Sequence, residues 1–359
     1  MDKSKVNEKR SPADEPRERR GAGVNDAPTP SALPLEESGR NPIAPRLSLA
    51  RAVMGRREAS VALMILLLFA FLTFANQYFL TPKNLLNVGR QASVVAIIAL
   101  GEALVIIARG LDLSVGSVLG LSAVNAAFAA RATGSQEIAL FVGLATGAVA
   151  GLVNGGLVTR LYINPFIATL GTLSIARGLG LLMTSGIPIP FNGWLGFLGS
   201  GRIYQVPASL ILMLVLAAVF HIFASLTRIG RNIYAIGDNP TAARLAGIDV
   251  EGTRVLVFVL CGLLAGLGGI ILGGNLASAN PDLGQGYELD VIAAVILGGT
   301  ALAGGRGSIP GVVLGALLMA LLSNAFVLLG WSAYWQVVSK GLVIIIAVGI
   351  DGVRRGRED

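Results

Sequence analysis

From Ser60 to Asp351 the chain is almost continuously apolar, cut only by short polar or Gly/Pro breaks. A helix needs about 20 residues to cross roughly 30 Å of hydrocarbon. Divided at its breaks, the sequence offers ten candidate spans, at approximately 60–80, 91–108, 113–131, 138–159, 165–184, 206–226, 254–275, 288–303, 310–330 and 335–351. The second, third and eighth are short or broken by Gly. This pattern predicts an all-α polytopic membrane protein with about ten transmembrane helices, some of them broken or short.

The flanks are of another kind. Residues 1–58 hold 12 of the 28 basic residues, 9 of the 21 acidic ones and 7 of the 15 prolines, with no long apolar run. Such a composition cannot bury enough apolar surface to fold, so a disordered cytoplasmic tail is expected. A cleaved signal peptide has its apolar core close to the start, whereas the first long run here begins near Ser60, so that segment reads as a retained helix. The transmembrane domain is then 59–352, followed by a cytoplasmic C-terminal tail at 353–359.

An even number of spans puts both termini on one side, and charge says which. With the N-terminus in the cytoplasm, 22 basic residues fall inside, including Arg109, Arg160, Arg228, Arg231, Arg244, Arg254 and Arg306. Only Lys83, Arg90, Arg131 and Arg202 fall outside, while Arg177 and Lys340 lie within spans. The positive-inside bias therefore selects this topology and accounts for the net charge of +7 without a nucleic-acid partner. Trp194, Trp331 and Trp335 then sit near the outer face, where an aromatic belt belongs.

Much chemistry is excluded by what is missing. A single Cys (Cys261) and a single His (His221) leave no disulfide framework, no multi-Cys metal site and little from which to build a catalytic centre, so no catalytic or metal-ligating residue is expected. None of the five lysines follows a Gly, so no phosphate-binding P-loop exists, and the GGRGS stretch at 304–308 reads as a tight turn between spans. Small residues recur at four-residue spacing at Gly143, Gly147, Gly151 and Gly155, at Gly116 and Gly120, at Gly262 and Gly266, and at Gly311 and Gly315. Such stripes let helix backbones approach closely, with pore lining as the other reading.

Between the sixth and seventh spans lies the longest polar internal segment, TRIGRNIYAIGDNPTAARLAGIDVEGTR, residues 227–254. Its middle reads as one short helix with both ends specified: Asn239 as N-cap, Pro240 at the first helical position, and Gly247 just past the end. A helix that short is marginal in water and must rest on other protein, either its own bundle or a partner's groove.

The stretch GRNIYAIGDNPTAARLAGI resembles the coupling loop of membrane permeases in bacterial ABC importers of the ribose/xylose/galactose class. Further stretches agree in order: GLDLSVGSVLGLSA at 110–123, NPFIATLGTLSIARGLGLL at 164–182 and YELDVIAAVILGGTALAGGRGSIPGVVLGALL at 287–318. The resemblance covers about residues 60–352. It implies a multi-pass protein of the bacterial inner (plasma) membrane, paired as a homodimer within lipid, beneath a periplasmic or extracellular sugar-binding protein. ATP and Mg would be bound by a separate ABC ATPase subunit, with no cofactor in this chain. Gly230, Arg231, Asp238, Asn239, Pro240, Ala242, Ala243, Arg244, Leu245 and Gly247 are the ATPase-coupling residues it implies, on a short cytoplasmic coupling helix.

For the solute path, uncharged polar groups within the spans are the candidates: Asn125, Asn154, Thr169, Asn275 and Asn324, with helix–helix hydrogen bonds as an equal reading. Asp112 in the DLSVGS turn reads as a helix cap or a solute contact. Glu102, Arg177, Asp290 and Lys340 are charges at membrane depth, each costly unless paired or wetted. The loops show no cationic or acidic cluster, which favours a neutral, hydroxyl-rich solute such as ribose or xylose. A nucleoside or branched-chain amino acid importer remains the alternative, as does an ion-coupled secondary transporter using Glu102 or Asp290.

Overall fold

The computed structural model describes residues 57–355, and these are helical almost throughout. In chain order the helices are α1 (Arg57–Ala75), α2 (Pro82–Ile107), α3 (Val115–Thr133), α4 (Gln136–Thr159), α5 (Pro165–Thr184), α6 (Leu195–Ser200), α7 (Ala208–Leu226), α8 (Arg228–Asp238), α9 (Pro240–Leu245), α10 (Val250–Leu276), α11 (Tyr287–Leu297), α12 (Ile309–Leu328) and α13 (Ala333–Arg355). Eight of them (α1–α5, α7, α10 and α12) are long and apolar enough to cross a membrane. The 23-residue α13 carries a shorter apolar stretch, Ala333–Ile346. Residues 1–56 of the expected N-terminal tail and 356–359 of the C-terminal one lie outside the described residues.

Several helix starts follow directly from local sequence. Thr81, Ser135, Asn164, Asp249 and Ser308 each cap a helix by accepting a backbone N–H, and Pro82, Pro165 and the Pro310 of α12 occupy first-turn positions where a missing donor costs nothing. The Thr81–Pro82 signal opens α2 nine residues before the expected boundary at 91, which places Arg90 within a helix and not in an outer loop.

The expected eighth span, 288–303, is a correction. Helix α11 has 11 residues, about 16 Å at 1.5 Å per residue, roughly half the hydrocarbon thickness. Composition kept the segment apolar, but Gly298 and Gly299 end the helix, Gly299 at φ +90°. From Thr300 to Ser308 the chain forms a turn in which the Ala301 N–H donates to the Arg306 carbonyl.

The glycine stripes are helix-packing surfaces. A Cβ on Gly147 would collide with the Gly262 carbonyl, one on Gly151 with that of Phe258, and one on Gly155 would meet Val255 at 2.9 Å. The Gly pattern thus draws antiparallel α4 and α10 into backbone contact. Gly311 and Gly315 do the same for α12 against Gly298, just past the end of α11, and Ala294 within it. Gly116 and Gly120 of α3 admit the non-helical segment after α10, whose Pro281 and Leu283 carbonyls lie against Gly120.

Helix ends sort into two sets. At one end, the near end, Glu58 accepts from Ser308 at 2.7 Å, the Ile107 carbonyl accepts from Gly305 at 2.9 Å, and Arg109 reaches the end of α8. At the far end, Asn76 donates to the Leu328 carbonyl at 2.8 Å, Trp194 to Glu137 at 3.2 Å, and the two-residue strands β1 (Ile189–Pro190) and β4 (Ser278–Ala279) pair antiparallel. Strands β2 (Arg202–Ile203) and β3 (Val206–Pro207) form a second small ladder just before α7. Helix α2 runs through the centre, with every residue from Ala92 to Ile107 buried.

Candidate functional site

At the near end, residues 227–249 fold as two helices. Thr227 accepts the Gly230 N–H at 3.0 Å and opens α8, an 11-residue helix that the sequence reading missed. Its signal was legible in hindsight, since Ile233 and Ile236 lie three apart on the buried side while Arg231 and Asp238 are exposed. The expected short helix is present as α9: Asn239 Oδ1 accepts from Thr241 and Ala242, both at 3.0 Å, with Pro240 at the first position. It ends in a Schellman closure, in which Ile248 donates to the Ala243 carbonyl at 3.1 Å, Gly247 donates to that of Arg244 at 3.0 Å, and Gly247 has φ +80°.

The surface this pair presents differs in part from the expected one. Leu245 is 87% exposed, and Ala242, Arg244, Ala246 and Gly247 are exposed beside it, with Arg244 paired to Glu251. Ala243 is a correction: it is 5% exposed and packs with Ile236, Ile248 and Val250 in a small core that fixes α9 to α8 and α10. Gly230 is likewise turned inward, where a Cβ would collide with the Phe223 and Ala224 carbonyls. These two position the surface and do not belong to it.

The pair is wired to the bundle. Arg109, at φ +63°, donates to the Gly237 carbonyl at 2.7 Å and to that of Asp238 at 2.6 Å, filling acceptors left free at the end of α8. Gly237 sits so close to Ile107 and Gly305 that no side chain fits there. Tyr234 donates to the Gly307 carbonyl at 3.0 Å, and burial raises its phenol above the ordinary range, so it stays a donor. The GGRGS turn is therefore a docking element for α8.

The six candidate path residues separate into different places. Three converge: Asp112 accepts from the Ser114 N–H at 2.9 Å, Asn154 donates to the Ser114 hydroxyl at 2.9 Å and to both Asp112 oxygens at 3.3 Å, and Thr169 donates to the Leu111 carbonyl at 3.2 Å. Thr172, which the sequence reading passed over, completes this network by donating to Asn154 at 2.5 Å. Asp112 thus closes the turn before α3. Asn125 donates to Thr146 at 3.0 Å beside a mostly apolar cleft between α3, α4 and α5. Asn275 accepts from Arg90 at 3.3 Å, and Asn324 pairs reciprocally with Asn84 at 3.1 and 2.8 Å, so these two tie helices together. No group of three or more His, Cys, Asp or Glu able to hold a metal occurs among the described residues.

Residues 84–348 match a family described as the branched-chain amino acid transport system / permease component. The chain belongs to that family. The permease is 41% identical to the ribose import permease protein of Escherichia coli over 85% of this chain and 99% of the relative. It is 42% identical to the ribose import permease protein of Bacillus subtilis over 80% and 90% of the two chains. The galactose/methyl galactoside import permease protein of Escherichia coli matches at 35% identity over 84% of the permease and 96% of the relative. No solved structure matches. A permease component is a transport subunit, and the α8–α9 pair lies within the matched span.

Proposed function

We propose that this permease is the membrane subunit of an ATP-driven, binding-protein-dependent importer of a monosaccharide such as ribose or xylose. The observation that carries the reading is the identity of about 40% to ribose import permeases along nearly their whole length. The near end gathers Arg109, Arg160, Arg228, Arg231, Arg244, Arg254 and Arg306, which supports a cytoplasmic near end in the bacterial inner membrane. Two copies of the chain, held in the bilayer, would take an ABC ATPase subunit with its ATP and Mg at the near end and a sugar-binding protein at the far end.

The geometry suits this work. Leu245 and its small neighbours on α9 form a knob for a groove on the ATPase, and the Ile236, Ala243 and Val250 core makes α8 and α9 move as one. Arg109 and the Gly237–Gly305 contact pass that movement to the end of α2 and the start of α12. The buried Asp112, Asn154 and Thr172 network ties the turn after α2 to α4 and α5.

Uptake by vesicles holding the full complex should require ATP and the binding protein and should survive collapse of the proton gradient. Uptake by this chain alone, driven by an ion gradient, overturns the reading. The family description favours one rival solute, a branched-chain amino acid. Calorimetry on the binding protein decides between them: tight ribose or xylose binding is expected, and tight leucine binding with no response to sugars refutes the monosaccharide reading.

A further inference from the structure

We propose that an open cavity bordered by α2, α11, α12 and α13, with a polar part to its wall, is a subsite on the solute path for a single neutral sugar ring. The inference rests on the monosaccharide reading above and adds a location and a set of side chains to it.

The cavity has a volume of about 280 Å³, and its hydrogen-bonding wall consists of Gln91, Gln285, Asp290, Ser323, Gln336 and Lys340. It lies at membrane depth. Helix α11 runs antiparallel to α12, with Gly298 against Gly311 and Ala294 against Gly315, so its first turn faces the part of α12 that carries Met319 and Ser323. Segment 277–286 reaches that point as non-helical backbone, passing Gly120 and Gly116 of α3. Irregular backbone at this depth persists only where it is buried in protein or lines a water-filled cavity. A broken helix whose N-terminus opens on such a cavity is a common way to build a transport site.

Helix packing explains part of the polar wall and leaves the rest. Lys340 donates to Asp290 Oδ2 at 2.7 Å, and Gln336 donates to Ser323 at 2.7 Å. Asp290 Oδ1 is buried and has no partner, and the side-chain amides of Gln91 and Gln285 make no hydrogen bond among the described residues. Two uncommitted amides, both exposed at the opening of the cavity, suit a ligand bearing both donors and acceptors.

The chemistry selects the class. Lys340 and Asp290 cancel in charge, so an anion entering the cavity meets the carboxylate and a cation meets the ammonium. A hydroxyl both donates and accepts, and adjacent hydroxyls on one ring can serve the oxygen and the nitrogen of one amide together. An aliphatic side chain would leave those groups unpaired. The volume sits just below the roughly 300 Å³ at which ordinary small-ligand pockets begin, which suits one sugar ring.

The test uses vesicles reconstituted with permease, ATPase and binding protein, measuring labelled ribose uptake and ATP hydrolysis together for wild type, Gln336→Leu, Lys340→Met and Gln91→Leu. Ribose taken up per ATP hydrolysed should fall roughly tenfold or more in Lys340→Met, the scale of a lost charge-assisted hydrogen bond, and about fivefold in the two Gln variants, whose bonds are neutral. Gln285→Asn should shift the ratio of ribose to galactose uptake, which a purely structural role would not do. If Lys340→Met fails to assemble, Gln91→Leu carries the test, because Gln91 is exposed at the rim and bonds to no neighbour. Wild-type uptake per ATP and an unchanged sugar ratio in assembled variants overturn the inference. So does native mass spectrometry showing a phospholipid that the variants lose and saturating ribose does not displace. A wild-type complex that imports leucine and no sugar instead refutes the monosaccharide reading itself.

Discussion

The guanidinium of Arg109 donates to the carbonyl oxygen of Asp238 at 2.6 Å, joining the turn after α2 to the last residue of α8 across 129 positions of sequence. A second bond, to Gly237 at 2.7 Å, makes the attachment two-pronged, a geometry that Lys cannot reproduce. Arg109→Lys should therefore be impaired almost as much as Arg109→Ala. We expect both variants to insert and bind the ATPase while transporting poorly, measured as uptake against ATP hydrolysis in the same vesicles. Full transport by Arg109→Ala would remove this link from the coupling route.

The inward and outward faces of α9 should respond differently to charge. Leu245→Asp places a carboxylate on the exposed knob and is expected to abolish co-purification of the ATPase with the melting temperature preserved. Ala243→Arg forces a cation into the Ile236 and Val250 core and should lower the melting temperature, since a large side chain overpacking a core costs about 1–3 kcal/mol before its charge is counted. Equal thermal stability of the two variants would contradict the packing described.

Gly247 separates backbone strain from crowding. Its φ is +80°, and a Cβ there would meet nothing within 4 Å, so Gly247→Val acts through conformation alone. A non-Gly residue held in the left-handed region costs about 1–2 kcal/mol. The expected result is weakened ATPase binding through a frayed end of α9, read by co-purification, with Gly247→Asn milder than Gly247→Val because Asn tolerates that region.

Glycines of similar appearance should differ sharply in tolerance. Gly147→Val drives a side chain into the Gly262 backbone of α10 and should leave little folded protein after detergent extraction. Gly156→Val, on the same helix but with open space around its Cβ, should be close to neutral. Fluorescence-detected size exclusion of tagged variants distinguishes the two, and equal yields would show that the α4–α10 interface is looser than its geometry indicates.

The buried network around Asn154 offers a final measurement. Asn154→Leu removes the donor to Asp112 and the acceptor for Thr172 in one step. Leaving such groups unsatisfied costs about 1–3 kcal/mol each. A large drop in thermal stability is expected, with partial recovery in Asn154→Gln, and a neutral Asn154→Leu would mean that water replaces the side chain.

Much of what neighbours along the chain govern was legible in the sequence, with α8 and the early start of α2 as the exceptions. Long apolar runs specified the membrane helices, Asn239, Pro240 and Gly247 specified α9, and glycines four apart specified which faces meet. Each rests on local periodicity or capping, which a single segment carries in full. Tertiary structure alone decided which way those features point and what they touch. The resemblance places Ala243 among the coupling residues, but its direction is set by packing against Ile236 of α8 and Val250 of α10. Asn324 and Asn275 were indistinguishable from Asn154 by type and depth, and only the partners brought beside them separate a helix tie from a buried network. The eighth span already reads as short or Gly-broken, but apolar composition alone does not say that Gly298 and Gly299 stop α11 at half the membrane. The joining of Lys340 to Asp290 and of Arg109 to Asp238 depends on contacts 50 and 129 residues apart, and no local pattern encodes a meeting that the closing of the whole bundle produces.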